Sequence, residues 1–506
     1  MLAKITSFAL VGLEGVPVEV EADINKGMTS YELVGLPDAA VKESRERINS
    51  AIRNSRLHFP VNRITVNLAP ADIKKEGSHY DLPIALAILM ASGQLEGAET
   101  DGIVMLGELA LDGSIRPVQG ILPALISAER RGFKNFIIPF ANANEAAYID
   151  GARVYALKSL SQAVEFLTGA GSFEPVAHKS FAVALSSSRY GADMSLVKGQ
   201  YVAKRAIEIA AAGGHNILLS GPPGSGKTML ARCLPTIMPD LTFEEALEVT
   251  QIHSVAGELG EEGIVSLRPF RTPHHTATTV SLCGGNTKIR PGEISKAHKG
   301  VLFLDELPEY SRSTLESLRQ PLEDKVITVT RAGGAVTFPA DFMLCASMNP
   351  CPCGNYGSSY KQCTCTPSQI RRYRAKISGP LLDRIDLQVE VDSVPYEQLA
   401  AEEGGESSSE VKKRVERARA IQRERFGGAH TNAGMGEAEI KKYCRLSPEC
   451  EAVLQSAFER LSLSARARSR IIKVARTIAD LDFSADIKPE HILEATSYRN
   501  FDIKEV

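Results

Sequence analysis

The chain has 506 residues, of which 43% are hydrophobic and 24% charged, and its formal net charge is −3. Such a composition excludes a disordered or fibrous chain, and the length calls for two to four domains instead of one core. The near-neutral charge removes any chain-wide cationic field, although residues 411–476 hold sixteen Lys or Arg against seven Asp or Glu; that excess reads either as a surface steering an anionic partner or as a solvated helical face.

Residues 1–170 alternate β-like runs, "ITVNLAP", "GIVMLGELAL" and "NFIIP", with helical stretches such as "YDLPIALAILMASGQL" and "QGILPALISAERRGF". The pattern predicts a mixed α/β domain with its own core. The apolar run at 85–93 is about half of a bilayer span, and the N-terminus lacks a secretory pattern, so a cytoplasmic enzyme with no membrane partner is expected. Residues 171–195 lose periodicity and gain Ser and Gly, as a linker does. A helix at about 200–212 then leads into the strand "NILLS", opening a core expected to run over 196–395. A polar break at 396–410 precedes a helical domain over 411–506.

The chemistry begins at "GPPGSGKT", which fits G-x-x-x-x-G-K-[ST]. Gly221, Pro222, Pro223, Gly224, Ser225 and Gly226 form a loop whose backbone can wrap a phosphate, since glycine brings no Cβ into the way. Lys227 can reach the β and γ phosphates of ATP, and the Thr228 hydroxyl can join a Mg²⁺ shell. "GVLFLDE" puts Asp305 and Glu306 at the carboxyl end of a buried strand, Asp305 to hold Mg²⁺ through water and Glu306 to deprotonate the attacking water. A third strand, "MLCASMNP", delivers Asn349 toward the same cleft. Arg384 and Arg466 are the cations available to a transferring phosphoryl group, and each also reads as a surface salt bridge.

Five cysteines, Cys233, Cys283, Cys345, Cys444 and Cys450, are scattered singly and read mostly as core filling. Cys351, Cys353, Cys363 and Cys365 instead form two C-x-C pairs nine residues apart. Four thiolates suffice for a structural Zn²⁺, with another metal or free redox thiols as alternatives. His274 and His275 have no acidic or cysteine partner at suitable spacing and read as packing or polar contacts. Arg331, beside Gly333 and Gly334 in a predicted hairpin, reads either as a phosphate-backbone contact or as a solvated turn residue.

The words "ELVGLPDAAVKESRERI", "GPPGSGKTMLA", "RPFRTPHHTAT", "PGEISKAHKGVLFLDELPE", "MNPCPCG", "SGPLLDRIDL" and "LSARA" span nearly the whole chain. They resemble the magnesium-chelatase-like AAA+ ATPases of the ComM and YifB type. The resemblance implies Walker A at Lys227 and Thr228, Walker B at Asp305 and Glu306, sensor 1 at Asn349, a finger at Arg384 that reaches a neighbouring subunit, and sensor 2 at Arg466. It further implies a homohexameric ring, a parallel-sheet AAA+ core, a small helical lid and a load of DNA in homologous recombination or natural transformation, with recombination proteins as partners. A protein remodeller or scaffold, or a chelatase-type motor subunit, is the alternative. The N-terminal domain looks like the Lon-protease fold of the ribosomal protein S5 type; the serine position of that family's dyad is His79 here and the lysine position Leu122, so no peptidase is expected from Ser78.

Overall fold

The computed structural model describes residues 2–285, 289–331, 334–358, 361–395, 405–461 and 465–499. Most of the linker expected at 396–410, part of "NTKIRPGE" and the Gly333 turn lie outside the described residues. Two compact units emerge, one of Met1–Ser188 with Phe243–Ser266, the other of Arg189–Thr242 with Leu267–Val506.

The first unit is built on strands β1 (Leu2–Val11), β2 (Glu14–Asn25), β3 (Ser30–Val34), β4 (Arg63–Ala69) and β5 (Ile103–Met105), a two-residue ladder β6 (Glu108–Leu109) and β7 (Ile115–Arg116), then β8 (Asn135–Pro139) and β9 (Arg153–Leu157). Seven of them form one mixed sheet in the order β3-β4-β2-β1-β5-β8-β9. The long β1–β2 hairpin is antiparallel, whereas β5, β8 and β9 run parallel. Helix Asp81–Ala91, apolar on every side, is accordingly buried on every side, with Ile84, Leu86 and Ile88 fully enclosed. Helix Phe243–Ala256, which falls within the core expected over 196–395, returns to this unit instead. There Ser254 accepts the Gly120 N–H through its carbonyl and donates its hydroxyl to buried Glu145. The stretch 171–195 also contains a helix, Phe181–Ser187.

The second unit holds a five-stranded sheet of β10 (Ile217–Ser220), β11 (Phe270–Arg271), β12 (Val301–Leu304), β15 (Met343–Met348) and β16 (Leu387–Glu390), with the hairpin β13 (Val326–Arg331) and β14 (Gly334–Pro339) between β12 and β15. The order is β11-β12-β15-β10-β16 and every pair is parallel. Strands β10, β12 and β15 are buried along their whole length, which explains their unbroken apolar runs. Because β10 lies between β15 and β16, chain order reverses beside it, and ligands of open parallel sheets sit outside the strand ends at such a point.

Helix Ser408–Phe426 starts with a Ser407–Glu410 capping box and stops at left-handed Gly427. Together with helix Ala465–Leu481 it shares one buried cluster with helix Tyr201–Gly213, through Val415, Ala418, Ile471, Ala475, Ala210 and Ala211. The contact is tied by Asp386, whose carboxylate meets Arg470 and lies 3.2 Å from His215 Nδ1. Burial alone would raise the Asp386 pKa, but Arg470 and His215 outweigh it and hold the carboxyl far below its ordinary range. No helix among the described residues is long and apolar enough to cross a membrane.

Candidate nucleotide-hydrolysis site

The loop after β10 is shaped by its glycines. Gly224 and Gly226 have φ of 80° and 90°, which glycine adopts at no steric cost. At Gly221 the requirement is space: a Cβ would lie 2.1 Å from the Val391 carbonyl oxygen. Helix Lys227–Ile237 follows, so the loop amides and the helix start face the same side, as an anion site requires. Lys227 Nζ donates to the carbonyls of Gly221 and Pro222 at 2.7 and 2.9 Å and to Asn349 Oδ1 at 3.4 Å. Burial lowers its pKa, against the pull of Asp305 and Glu306.

At the end of β12, Asp305 Oδ2 accepts the Thr228 hydroxyl at 3.3 Å. The two oxygens are near enough to serve one Mg²⁺ shell, and a hydroxyl with a carboxylate is the hard-oxygen donor set that ion takes. Asp305 Oδ1 is held by the Glu306 N–H at 3.1 Å and by the Ser347 hydroxyl. Sequence reasoning missed Ser347; the signal was a lone hydroxyl in an apolar strand, one residue beyond the Leu304–Ala346 register pair. Glu306 is left-handed, at φ 53°, a strained conformation for a non-glycine residue that turns the chain sharply at the strand end. Its Oε2 meets His275 Nδ1 at 3.4 Å. Local spacing offered His275 no acidic partner, but one comes from another strand end, 31 residues on.

Asn349 leaves β15 with its side chain toward Lys227. The structure therefore brings together Lys227, Thr228, Asp305, Glu306 and Asn349. Beside them Gln200 donates to the Ser225 and Asp392 carbonyls at 3.1 and 2.5 Å and borders a cavity of about 370 Å³ lined also by Tyr201, Glu390, Ser393 and Tyr498. A cavity of this size abutting the loop suits a base and ribose. Gln200, left-handed at φ 56°, gave no sequence signal.

The two arginines lie elsewhere. Arg384 bonds to the Pro380 carbonyl at 2.6 Å and to the Glu323 carboxylate, and its buried Nε has no partner among the described residues. It lines an open cleft of about 470 Å³ with Glu316, Arg319 and Glu323. Arg466 is exposed and also bears on Glu323, whose pKa is lowered chiefly by the Arg384 hydrogen bond and further by the charges of Arg384, Arg466 and Arg319. Ser78 of the first unit donates to Glu108, His79 Nε2 lies 3.0 Å from the Phe8 carbonyl oxygen, and Leu122 is fully buried.

Residues 193–399 match the model "Magnesium chelatase, subunit ChlI", 20–142 match "Subunit ChlI of Mg-chelatase" and 405–499 match "Magnesium chelatase, subunit ChlI C-terminal". The chain is 43% identical over 503 residues to competence protein ComM of Haemophilus influenzae, covering 98% of this chain and 97% of that protein. The chain belongs to the ComM/YifB family of magnesium-chelatase-like AAA+ ATPases. YifB of Escherichia coli is 44% identical over 503 residues and YifB of Salmonella typhimurium 43% over 502, each covering 99% of this chain and 97% of the relative. Membership supports ATP hydrolysis with Mg²⁺ and agrees with homo-oligomer formation.

Proposed function

We propose that the chain is the ATP-hydrolysing subunit of a ring-shaped motor, a homohexamer in which Arg384 completes the site of the neighbouring protomer. The observation that carries this reading is the convergence of Lys227, Thr228, Asp305 and Asn349 at the ends of β10, β12 and β15. The loop amides and Lys227 hold the phosphates, and Gln200 borders the base. Glu306 takes the proton of the attacking water, with His275 orienting its carboxylate. Thr228 and Asp305 would hold Mg²⁺, which would supply charge neutralisation to the transferring phosphoryl group. The open cleft that Arg384 lines beside exposed Glu323 gives a partner's phosphoryl group an approach to the guanidinium. Arg466 shares that face and serves as a second cation there.

For the load, the three chelatase models favour a chelatase-type motor subunit that works on a protein partner, or a related protein remodeller. The near full-length likeness to a competence protein and the basic excess over 411–476 support the second reading, DNA branch migration in recombination or natural transformation in the cytoplasm. In either case the first unit is a Lon-like domain that lacks the catalytic dyad, and the C-terminal helices form the lid. ATPase rate against a panel of single-stranded, forked and branched DNA separates the loads. Several-fold stimulation selects the nucleic-acid motor, and indifference to every DNA selects the protein partner.

A further inference from the structure

Cys351, Cys353, Cys363 and Cys365 bring their four Sγ atoms within 4.8 Å of one another. Three of the separations are 3.4, 3.7 and 3.6 Å. A tetrahedral Zn²⁺ with Zn–S bonds of about 2.3 Å needs sulfur separations of about 3.8 Å, so the thiols already stand near the required geometry. Backbone N–H groups of Tyr356, Cys353 and Cys365 point at Cys351, Cys365 and Cys363 Sγ at 3.3, 3.4 and 3.4 Å. Such donors stabilise thiolates, the form that binds metal. Four protein sulfurs leave no open position, which makes the site structural and not catalytic.

The place of this cluster gives it a consequence for ATP. Cys351 follows Asn349 by two residues, and Asn349 bonds Lys227. Inside the cysteine loop, Gly354 has φ 78°, and a Cβ there would lie 2.5 Å from Pro223 Cδ and 2.9 Å from Cγ. The loop therefore packs its bare backbone directly on the phosphate loop. On its far side, helix Pro367–Arg374 starts from a Thr366–Gln369 capping box immediately after Cys365. That helix returns Arg374 to the Pro350 carbonyl at 3.3 Å and to the Tyr356 ring at 5.3 Å. The path from Pro350 through the cysteines and back to Pro350 is thus closed by the Arg374 side chain.

We infer that the four thiolates bind one Zn²⁺, and that this ion pins the cysteine loop against Pro223 and Asn349, so that zinc loading sets the affinity of the chain for ATP. The coupling rests on the reading of the β10 loop as the ATP site, whereas the metal site stands on the sulfur geometry alone. Without the ion, the loop loses its cross-link and the wall behind Pro223 yields. A yielding cradle loses hydrogen bonds to the phosphates, and loss of one charge-assisted bond is enough for about a tenfold fall in affinity.

The test uses the full chain. Elemental analysis of the purified protein should find about one zinc per chain; no zinc after incubation with zinc salt, or iron in its place, overturns the assignment. Zinc is then stripped with a chelator, Mg²⁺ is restored in excess, and binding of a fluorescent ATP analogue is measured before and after one equivalent of zinc is returned. Stripping should weaken binding at least about tenfold, with recovery on reloading. Binding indifferent to zinc overturns the coupling alone. Zinc-loaded protein that binds no ATP contradicts the nucleotide reading and the coupling with it, but leaves the metal site standing. Gly354→Ala keeps all four thiols and acts should the stripped chain unfold: its added methyl group meets Pro223, so ATP affinity should fall. Unchanged affinity in this variant, with or without its zinc, overturns the coupling.

Discussion

His275 Nδ1 stands 3.4 Å from Glu306 Oε2, joining the segment after β11 to the carboxylate that ends β12. With Glu306 proposed as the base, the contact would give the long stretch between these strands a handle on hydrolysis. His275→Ala should leave ATP affinity within about twofold and lower kcat by about 10- to 100-fold, because a misplaced base loses rate and not binding. His275→Asn, which retains a short polar side chain, should recover part of the loss. Steady-state kinetics with an independent ATP-binding titration decide, and a fall in affinity at unchanged kcat would count against the role.

Arg384 is anchored by the Glu323 carboxylate and the Pro380 carbonyl, not by groups at Lys227. Arg384→Ala should therefore spare ATP binding and cut turnover by on the order of 1,000-fold, the scale of an arginine finger. Mixing it with Glu306→Gln subunits should restore partial turnover, since each protomer then supplies what the other lacks. Absence of rescue in confirmed mixed rings would place the arginine's action within its own subunit.

Asp386 joins the entry to β16 with helix Ala465–Leu481 through Arg470. Removing one partner of a buried pair strands the other, so Asp386→Asn should cost about 3–5 kcal/mol in denaturant unfolding. The folded-state pKa lies below the ordinary value of 3.8, so the stabilisation is fully present above that value and is lost as pH falls through it toward the folded-state pKa. Below pH 3.8 the wild-type chain should lose stability more steeply than Asp386→Asn, and parallel pH curves would contradict this.

The five-stranded core was legible because β10, β12 and β15 are buried on both faces and each ends in a residue whose chemistry demands a cleft. Lys227, Thr228, Asp305, Glu306 and Asn349 could be placed for that reason. Ser347, His275 and Gln200 could not, since each acts on a group far away in sequence and carries no periodic signal of its own. The return of helix Phe243–Ala256 to the first unit was invisible for a related reason: its partners Gly120 and Glu145 lie more than a hundred residues away. The cysteine pairs made a metal site an expectation by their spacing, with free thiols as the alternative, whereas the closeness of Gly354 to Pro223 needed the fold.

A Lys227→Ala chain should lose ATP affinity by a large factor, because three hydrogen-bonded donors on a buried ammonium are removed from the phosphate cradle. Equilibrium binding of a fluorescent ATP analogue measures this, and wild-type affinity in the variant would show that the phosphates lie elsewhere.

Phosphate release from Mg²⁺-ATP by the wild-type and Glu306→Gln chains, at matched concentration, probes the strand-end site most directly. The wild type should turn over, and Glu306→Gln should still bind ATP while releasing phosphate at least about 100-fold more slowly. Undiminished release by Glu306→Gln would mean that the water is activated somewhere other than the end of β12.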